Sequence, residues 1–146
     1  MYKRIVVAYD GSESGQKALF DGFDIAQWSH GELFLIAVMP QLSTAIFSME
    51  GGLYEGASEA QDPENYRAVL DEGLRRISGL GVTATGEVLT GDSVEEITHY
   101  ARKIAADLIV VGHKHQDGWA ARWWSGSKSP ALIEHAHCSV LVVITA

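Results

Sequence analysis

The sequence is poor in residues that would cross-link it or hold it in a membrane. Its single cysteine, Cys138, excludes an internal disulfide and a zinc site built from several cysteines. Because Cys138 precedes an apolar run, we expect a buried, inert thiol rather than a nucleophile. No apolar run is long enough to span a bilayer, and the first residues show no signal-peptide pattern. We therefore expect a cytoplasmic protein without a membrane segment.

Basic residues are also scarce. The chain has 11 Lys and Arg compared with 19 Asp and Glu, which gives a formal net charge of −8. Broad binding to nucleic acid requires a basic surface, so this class of partner is not expected. A small nucleotide is still allowed because it needs only a local anion site. The length of 146 residues with 47% hydrophobic residues fits one domain, residues 1–146, with a sizeable core.

Apolar, β-rich segments alternate strictly with helical patterns along the chain. The five strands are predicted over residues 3–9, 33–38, 82–89, 108–111 and 139–144. This alternation predicts an α/β fold: a single open parallel sheet with helices on both faces. We expect the strand order 3-2-1-4-5, in which strands 1 and 4 are adjacent. Ligands bind such sheets at the carboxyl ends of the strands, where the strand order reverses.

The helix starts carry capping signals. Ser12 or Ser14 is predicted to cap the first helix, Asp62 precedes Pro63 at the second, and Ser93 forms a capping box with Glu96 at the third. Between the second strand and the second helix, residues 39–62 are predicted to form a long loop. Two interpretations of this loop stay open, a functional loop and a tether without a role.

Two turns at the expected carboxyl edge are candidates for a binding site. Asp10 begins a sharp turn after strand 1, and Gly112 ends strand 4. Gly126 and Ser127 then open the last helix, where free backbone N–H groups and the helix dipole favour an anion such as phosphate. The alternative for Ser127 is an ordinary helix cap that binds nothing.

Several motifs in a consistent order resemble the universal stress protein family across nearly the whole chain. They are V-A-x-D-G-S from Val7, G-D-x-x-x-E-I from Gly91, A-D-L-I-V-V-G up to Gly112, and a C-terminal G-x2-G-x9-G-[S/T] signature ending at Gly126 and Ser127. The resemblance implies an adenine-nucleotide alpha-hydrolase-like fold. It also implies that ATP or AMP binds between strands 1 and 4, with Mg²⁺ as an optional partner.

The resemblance also assigns roles to individual residues. Asp10 would contact the ribose or the metal on the phosphates. Ala8, Val38, Val111 and Gly112 would line the adenine and ribose pocket. Gly126 and Ser127 would hold the phosphates, and Lys128 takes the next position.

This sequence departs from the family signature at His115, which replaces its second glycine and is separated from Gly126 by ten residues rather than nine. The imidazole either donates to a phosphate or fills the pocket. The run G-H-x-H-Q-D-x-W from Gly112 is similar to GHHQDFW of the non-nucleotide-binding branch. His113 and His115 are expected to be surface or hydrogen-bonded histidines, and no metal site is predicted.

Two functions are therefore expected from the sequence. The first is a regulatory stress-response protein that binds ATP or AMP, with no catalytic residues and slow or absent hydrolysis. The alternative is a dimeric stress protein that binds no nucleotide and acts through protein partners. The resemblance implies a homodimer through the strand from Ser139 to Ile144, an expected sheet edge.

Overall fold

The computed structural model of the chain describes residues 1–40, 62–114 and 128–145. Within these residues, strands and helices alternate as the sequence predicts. The elements are β1 (Arg4–Ala8), α1 (Glu13–Ser29), β2 (Glu32–Met39), α2 (Pro63–Ile77), β3 (Ala84–Thr90), α3 (Ser93–Lys103), β4 (Leu108–Lys114), α4 (Lys128–His135) and β5 (Ser139–Thr145).

The five strands form one parallel sheet in the order β3-β2-β1-β4-β5. This confirms the predicted α/β fold and strand order, with β3 and β5 at the two edges. β1 occupies the centre, where Ala8 is in register with Ile36 of β2 and with Val111 of β4. The carboxyl ends of β1 and β4 are therefore neighbours, as the candidate site requires.

Helices cover both faces of the sheet, and each face has its own apolar cluster. The helices α1 and α2 pack on the face that holds Ile5 and Val7, whereas α3 and α4 pack on the face that holds Val6. Successive strand residues point to opposite faces, so the central strand supplies both clusters. Because the middle of β1 is buried on both sides, Ile5, Val6 and Val7 form a continuous apolar run.

Most predicted helix starts are confirmed. The Ser12 side chain caps α1 by accepting from the backbone N–H of Gly15, and Asp62 caps α2 with Pro63 at its first position. At α3 the prediction is wrong by one residue, because the cap is Asp92 and not Ser93. Gly91, with φ of 143°, turns the chain so that the Asp92 carboxylate accepts from the N–H of Glu95 at 3.0 Å.

A second correction concerns the end of β4, which the sequence places at Gly112. The strand continues to Lys114 because β5 runs beside it for the same distance. Gly112 is in register with Val143, His113 with Ile144, and Lys114 with Thr145. Hydrogen-bonded pairing with β5 thus extends β4 beyond Gly112, although a glycine in the sequence alone indicates the end of a strand. The predicted loop over residues 39–62 falls largely outside the described residues.

Candidate functional site

The apolar side of the candidate site comes from three strands. Ala8 of β1, Val38 of β2 and Val111 of β4 all belong to the cluster on the face of α3 and α4. Ala8 and Val111 are partners in register, and Val38 lies two residues beyond Ile36, the other partner of Ala8. The structure therefore brings together three residues that the sequence nominated separately. They form an apolar floor near the carboxyl edge.

The turn after β1 places a carboxylate two residues beyond Ala8, at the carboxyl end of the strand. Asp10 is exposed, and its Oδ1 accepts hydrogen bonds from the backbone N–H of Ser12 at 2.9 Å and from the Ser12 hydroxyl at 2.5 Å. The same hydroxyl accepts from the N–H of Gly15 at 3.1 Å, so one side chain links Asp10 to the first turn of α1. Gly11, at φ of 79°, adopts the left-handed conformation that this tight turn needs.

Gly15 is a functional candidate that the sequence reasoning missed. A Cβ at this position would lie 2.5 Å from Asp10 Oδ1, so the bare backbone of Gly15 makes room for the carboxylate. The available signal is a glycine in the first turn of a helix, where it weakens the helix and often marks a close approach of other atoms. Which atoms approach is visible only in the folded protein.

Gly112 of β4 packs directly against the first turn of α1. A Cβ at Gly112 would overlap the carbonyl of Ser14 and lie 2.9 Å from the backbone N of Gly15. The end of β4 therefore rests directly on the first turn of α1, and a glycine is required there for packing. The two candidate turns, after β1 and after β4, are parts of one contiguous structure.

The remaining nominated residues belong to the connection between β4 and α4. His115, Gly126 and Ser127 lie outside the described residues. Lys128 is the first residue of α4, and only its backbone is described. The predicted phosphate contacts of these residues, and the pocket-filling alternative for His115, therefore stay predictions. His113 is half-buried in β4, in register with Ile144.

Tyr9 and Cys138 have raised pKa values with clear physical causes. Burial raises the pKa of Tyr9, whose ring packs against Gly73 on the face opposite the floor. Burial, with a further contribution from the Asp107 carboxylate, raises the pKa of the Cys138 thiol. Cys138 is half-buried rather than fully buried, and its raised pKa disfavours the nucleophilic thiolate.

Two further classes of site were sought. Across residues 1–40, 62–114 and 128–145, no three or more His, Cys, Asp or Glu side chains are grouped in a way that could hold a metal ion. None of the helices in these same ranges has the length and apolar character needed to cross a membrane.

A family model described as the universal stress protein family matches residues 1–143. The chain belongs to the universal stress protein family. Among curated relatives, Universal stress protein MJ0531 of Methanocaldococcus jannaschii is 34% identical over 143 residues, covering 98% of this chain and 82% of the relative. The universal stress protein YxiE of Bacillus subtilis is 27% identical over 150 residues, covering 98% of this chain and 99% of the relative.

Solved structures share the fold of this universal stress protein. A universal stress protein in complex with cAMP superposes with a TM-score of 0.73 at 25% identity, covering 99% of both chains. These comparisons confirm the family resemblance on which the sequence interpretation depends. They also confirm the adenine-nucleotide alpha-hydrolase-like fold.

Proposed function

We propose that this universal stress protein binds an adenine nucleotide, ATP or AMP, at the carboxyl ends of β1 and β4. The observation that carries the proposal is the apolar floor of Ala8, Val38 and Val111 beside the exposed carboxylate of Asp10. A flat, apolar surface suits an adenine ring, and a hydrogen-bond acceptor beside it suits a sugar hydroxyl. The relative bound to cAMP, with 25% identity over nearly the whole chain, supports this ligand class.

In this proposal the phosphates extend from the floor toward the start of α4. Gly126, Ser127 and Lys128 are the proposed phosphate contacts, because a helix start offers N–H donors and a favourable dipole. His115 is proposed to donate to a phosphate, and Mg²⁺ is an optional partner that would reduce repulsion between the phosphates and Asp10. The proposed location of action is the cytoplasm.

The proposed role is regulatory rather than strongly catalytic. The hydroxyl that donates to the Asp10 carboxylate belongs to Ser12, and it also accepts from the N–H of Gly15, so it serves as the cap of α1. General acid–base catalysis needs a positioned group within hydrogen-bond reach of the reacting proton, and no nominated residue is assigned that task. Slow ATP hydrolysis remains compatible with the proposal.

Calorimetric titration of the nucleotide-stripped protein with Mg-ATP and with AMP tests the proposal. We expect saturable binding, and Asp10→Ala should weaken it about tenfold or more, the usual cost of losing a hydrogen bond to a charged group. Asp24→Ala is the matched control, because Asp24 is exposed on α1 and outside the site. Absence of binding of both nucleotides by the well-folded protein would reject the proposal.

A second proposal, self-association, is favoured by the position of β5 at one edge of the sheet within the described residues. Ile144 is 61% exposed on this edge strand, and an apolar edge invites pairing with another strand. We propose a homodimer formed through the strand from Ser139 to Ile144. If the protein dimerises but binds no nucleotide, it acts through protein partners, as the alternative from the sequence states.

A further inference from the structure

The two hydrogen bonds to the Asp10 carboxylate end on the same oxygen. Oδ1 accepts from both the N–H and the hydroxyl of Ser12, and among the described residues these are the bonds that hold the carboxylate. The hydroxyl of Ser12 is itself held in place, since it accepts from the N–H of Gly15. Within residues 1–40, 62–114 and 128–145, one oxygen of the carboxylate is therefore fixed against α1, and Oδ2 is the oxygen without a hydrogen bond.

The carboxylate adopts this orientation because position 15 has no side chain. A Cβ on Gly15 would lie 2.5 Å from Asp10 Oδ1 and 3.2 Å from the Ser12 hydroxyl. Any other residue at position 15 would push the carboxylate out of the place where Ser12 holds it. Gly15 is buried in the first turn of α1, so its backbone cannot move aside easily.

The chemistry of an ionised carboxylate limits what Oδ2 can face. It accepts hydrogen bonds and repels phosphate, so in a nucleotide it must meet a donor. Ala8, two residues before Asp10, lies on the apolar floor proposed for the base. An adenine nucleotide offers donors at the N6 amino group and at the sugar hydroxyls. We assign the sugar hydroxyls to Oδ2, because Asp10 lies beyond the end of β1 and the sugar joins the base to the phosphates.

We propose that Ser12 and Gly15 are positioning residues that hold the Asp10 carboxylate so that it presents Oδ2 to a ribose hydroxyl. This inference rests on the proposed nucleotide binding. It adds that discrimination between ribonucleotides and nucleotides without sugar hydroxyls depends on the serine that caps α1 and on a glycine in its first turn, neither of which need touch the ligand.

Gly15→Ala separates positioning from structural support. The added methyl meets the end of the Asp10 side chain, which can rotate away, so the fold is retained while the carboxylate leaves Ser12. Alanine also favours a helix over glycine, so the thermal midpoint of Gly15→Ala should be equal to or higher than that of the wild type, and a lost sugar preference would then report the carboxylate and not the fold. Ser12→Ala is the second variant, because it removes the hydroxyl that bonds Oδ1 directly.

The experiment measures the affinity of the full chain for ATP and AMP, each against its 2′,3′-dideoxy form. We expect the wild type to prefer the hydroxyl-bearing form by about tenfold or more, as for a hydrogen bond to a charged group. Gly15→Ala and Ser12→Ala should each reduce this preference severalfold and leave the affinity for the dideoxy form nearly unchanged. Ser78→Ala is the matched control and should keep the preference, because Ser78 is exposed after the end of α2 and away from Asp10, whereas the Ser14 hydroxyl lies 3.3 Å from the Ser12 hydroxyl.

The outcomes distinguish the inference from the proposed function. If Gly15→Ala and Ser12→Ala keep the wild-type preference, or if the wild type binds both forms equally, the positioning role is rejected while nucleotide binding stands. If both variants weaken both forms equally, their role is structural and the inference is also rejected. If the wild type binds none of the four nucleotides, the proposed function fails and the inference fails with it.

Discussion

Gly112 occupies a point in β4 where the strand rests on the backbone of α1. The overlap that a Cβ would make is with the Ser14 carbonyl, which belongs to the first turn of the helix and not to a flexible side chain. A substitution must therefore move the strand or the helix. The same contact supports the turn that holds Asp10. Gly112 therefore matters both for the packing of β4 on α1 and for the proposed binding site.

We predict that Gly112→Ala lowers the free energy of unfolding by about 1–3 kcal/mol, the usual cost of overpacking a tight contact. Urea denaturation followed by circular dichroism measures this change. Thr85→Ala, at an exposed position of β3, is the control and should change stability by less than about 0.5 kcal/mol. Equal stability of Gly112→Ala and wild type would show that the strand and the helix separate without cost.

At the scale of elements, α3 begins with an aspartate that satisfies a backbone donor. The Asp92 carboxylate accepts from the Glu95 N–H, and the side chain of Glu96 lies close over Gly91. Asp92 also places negative charge at the positive end of the helix dipole. The helix start therefore depends on Asp92, although the next residue, Ser93, has the composition of a cap.

We predict that Asp92→Ala lowers the free energy of unfolding by about 1 kcal/mol, the typical value for loss of a helix cap. Ser93→Ala is the matched variant one residue later, and we expect a change within about 0.5 kcal/mol. Urea midpoints of the two variants and the wild type provide the comparison. A larger loss for Ser93→Ala than for Asp92→Ala would contradict the observed cap.

The same elements show what a sequence can and cannot predict. The strand and helix types were predictable because apolar runs and helical spacing are local properties of the chain. The cap at Asp92 was missed by one residue because Asp92 and Ser93 are both good caps, and only the turn at Gly91 decides between them. The end of β4 was missed because pairing with β5, a contact far along the chain, extends the strand.

At the scale of the whole molecule, the strand order in the described part of the chain places β5 at one edge of the sheet, beside α4. Ile144 on β5 and Ile133 on α4 are 61% and 62% exposed, so apolar surface is present near this edge. The opposite edge, β3, carries the exposed polar residues Thr85 and Glu87 instead. The two edges of the sheet therefore differ in their capacity for self-association.

We predict that the protein sediments as a dimer at micromolar concentration and that Ile144→Lys shifts it toward the monomer, because a charge on an edge strand opposes pairing. Thr85→Lys on the β3 edge is the control and should leave the dimer intact. Analytical ultracentrifugation of the three proteins gives the answer. A monomeric wild type, or a dimer that is unchanged by Ile144→Lys, would contradict association through β5.

The candidate site was predictable to the extent that topology determines it. Ala8, Val38 and Val111 come together because parallel strands in this order align their carboxyl ends, and that order followed from the resemblance and the alternation of elements. Gly15 was not predictable, since its requirement arises from a side chain that folds back onto the helix after the turn is made. The contact between Gly112 and α1 is likewise a consequence of tertiary packing.

The central place of β1 has a consequence for synthesis on the ribosome. β1 is made first, and β2 pairs with one side of it after about thirty residues, but its other side waits for β4, which begins at Leu108. Throughout that interval the nascent chain displays an open, apolar strand edge, which is a template for pairing with neighbouring chains. The yield of folded protein would then depend on how well this edge is protected during translation, for example by chaperones.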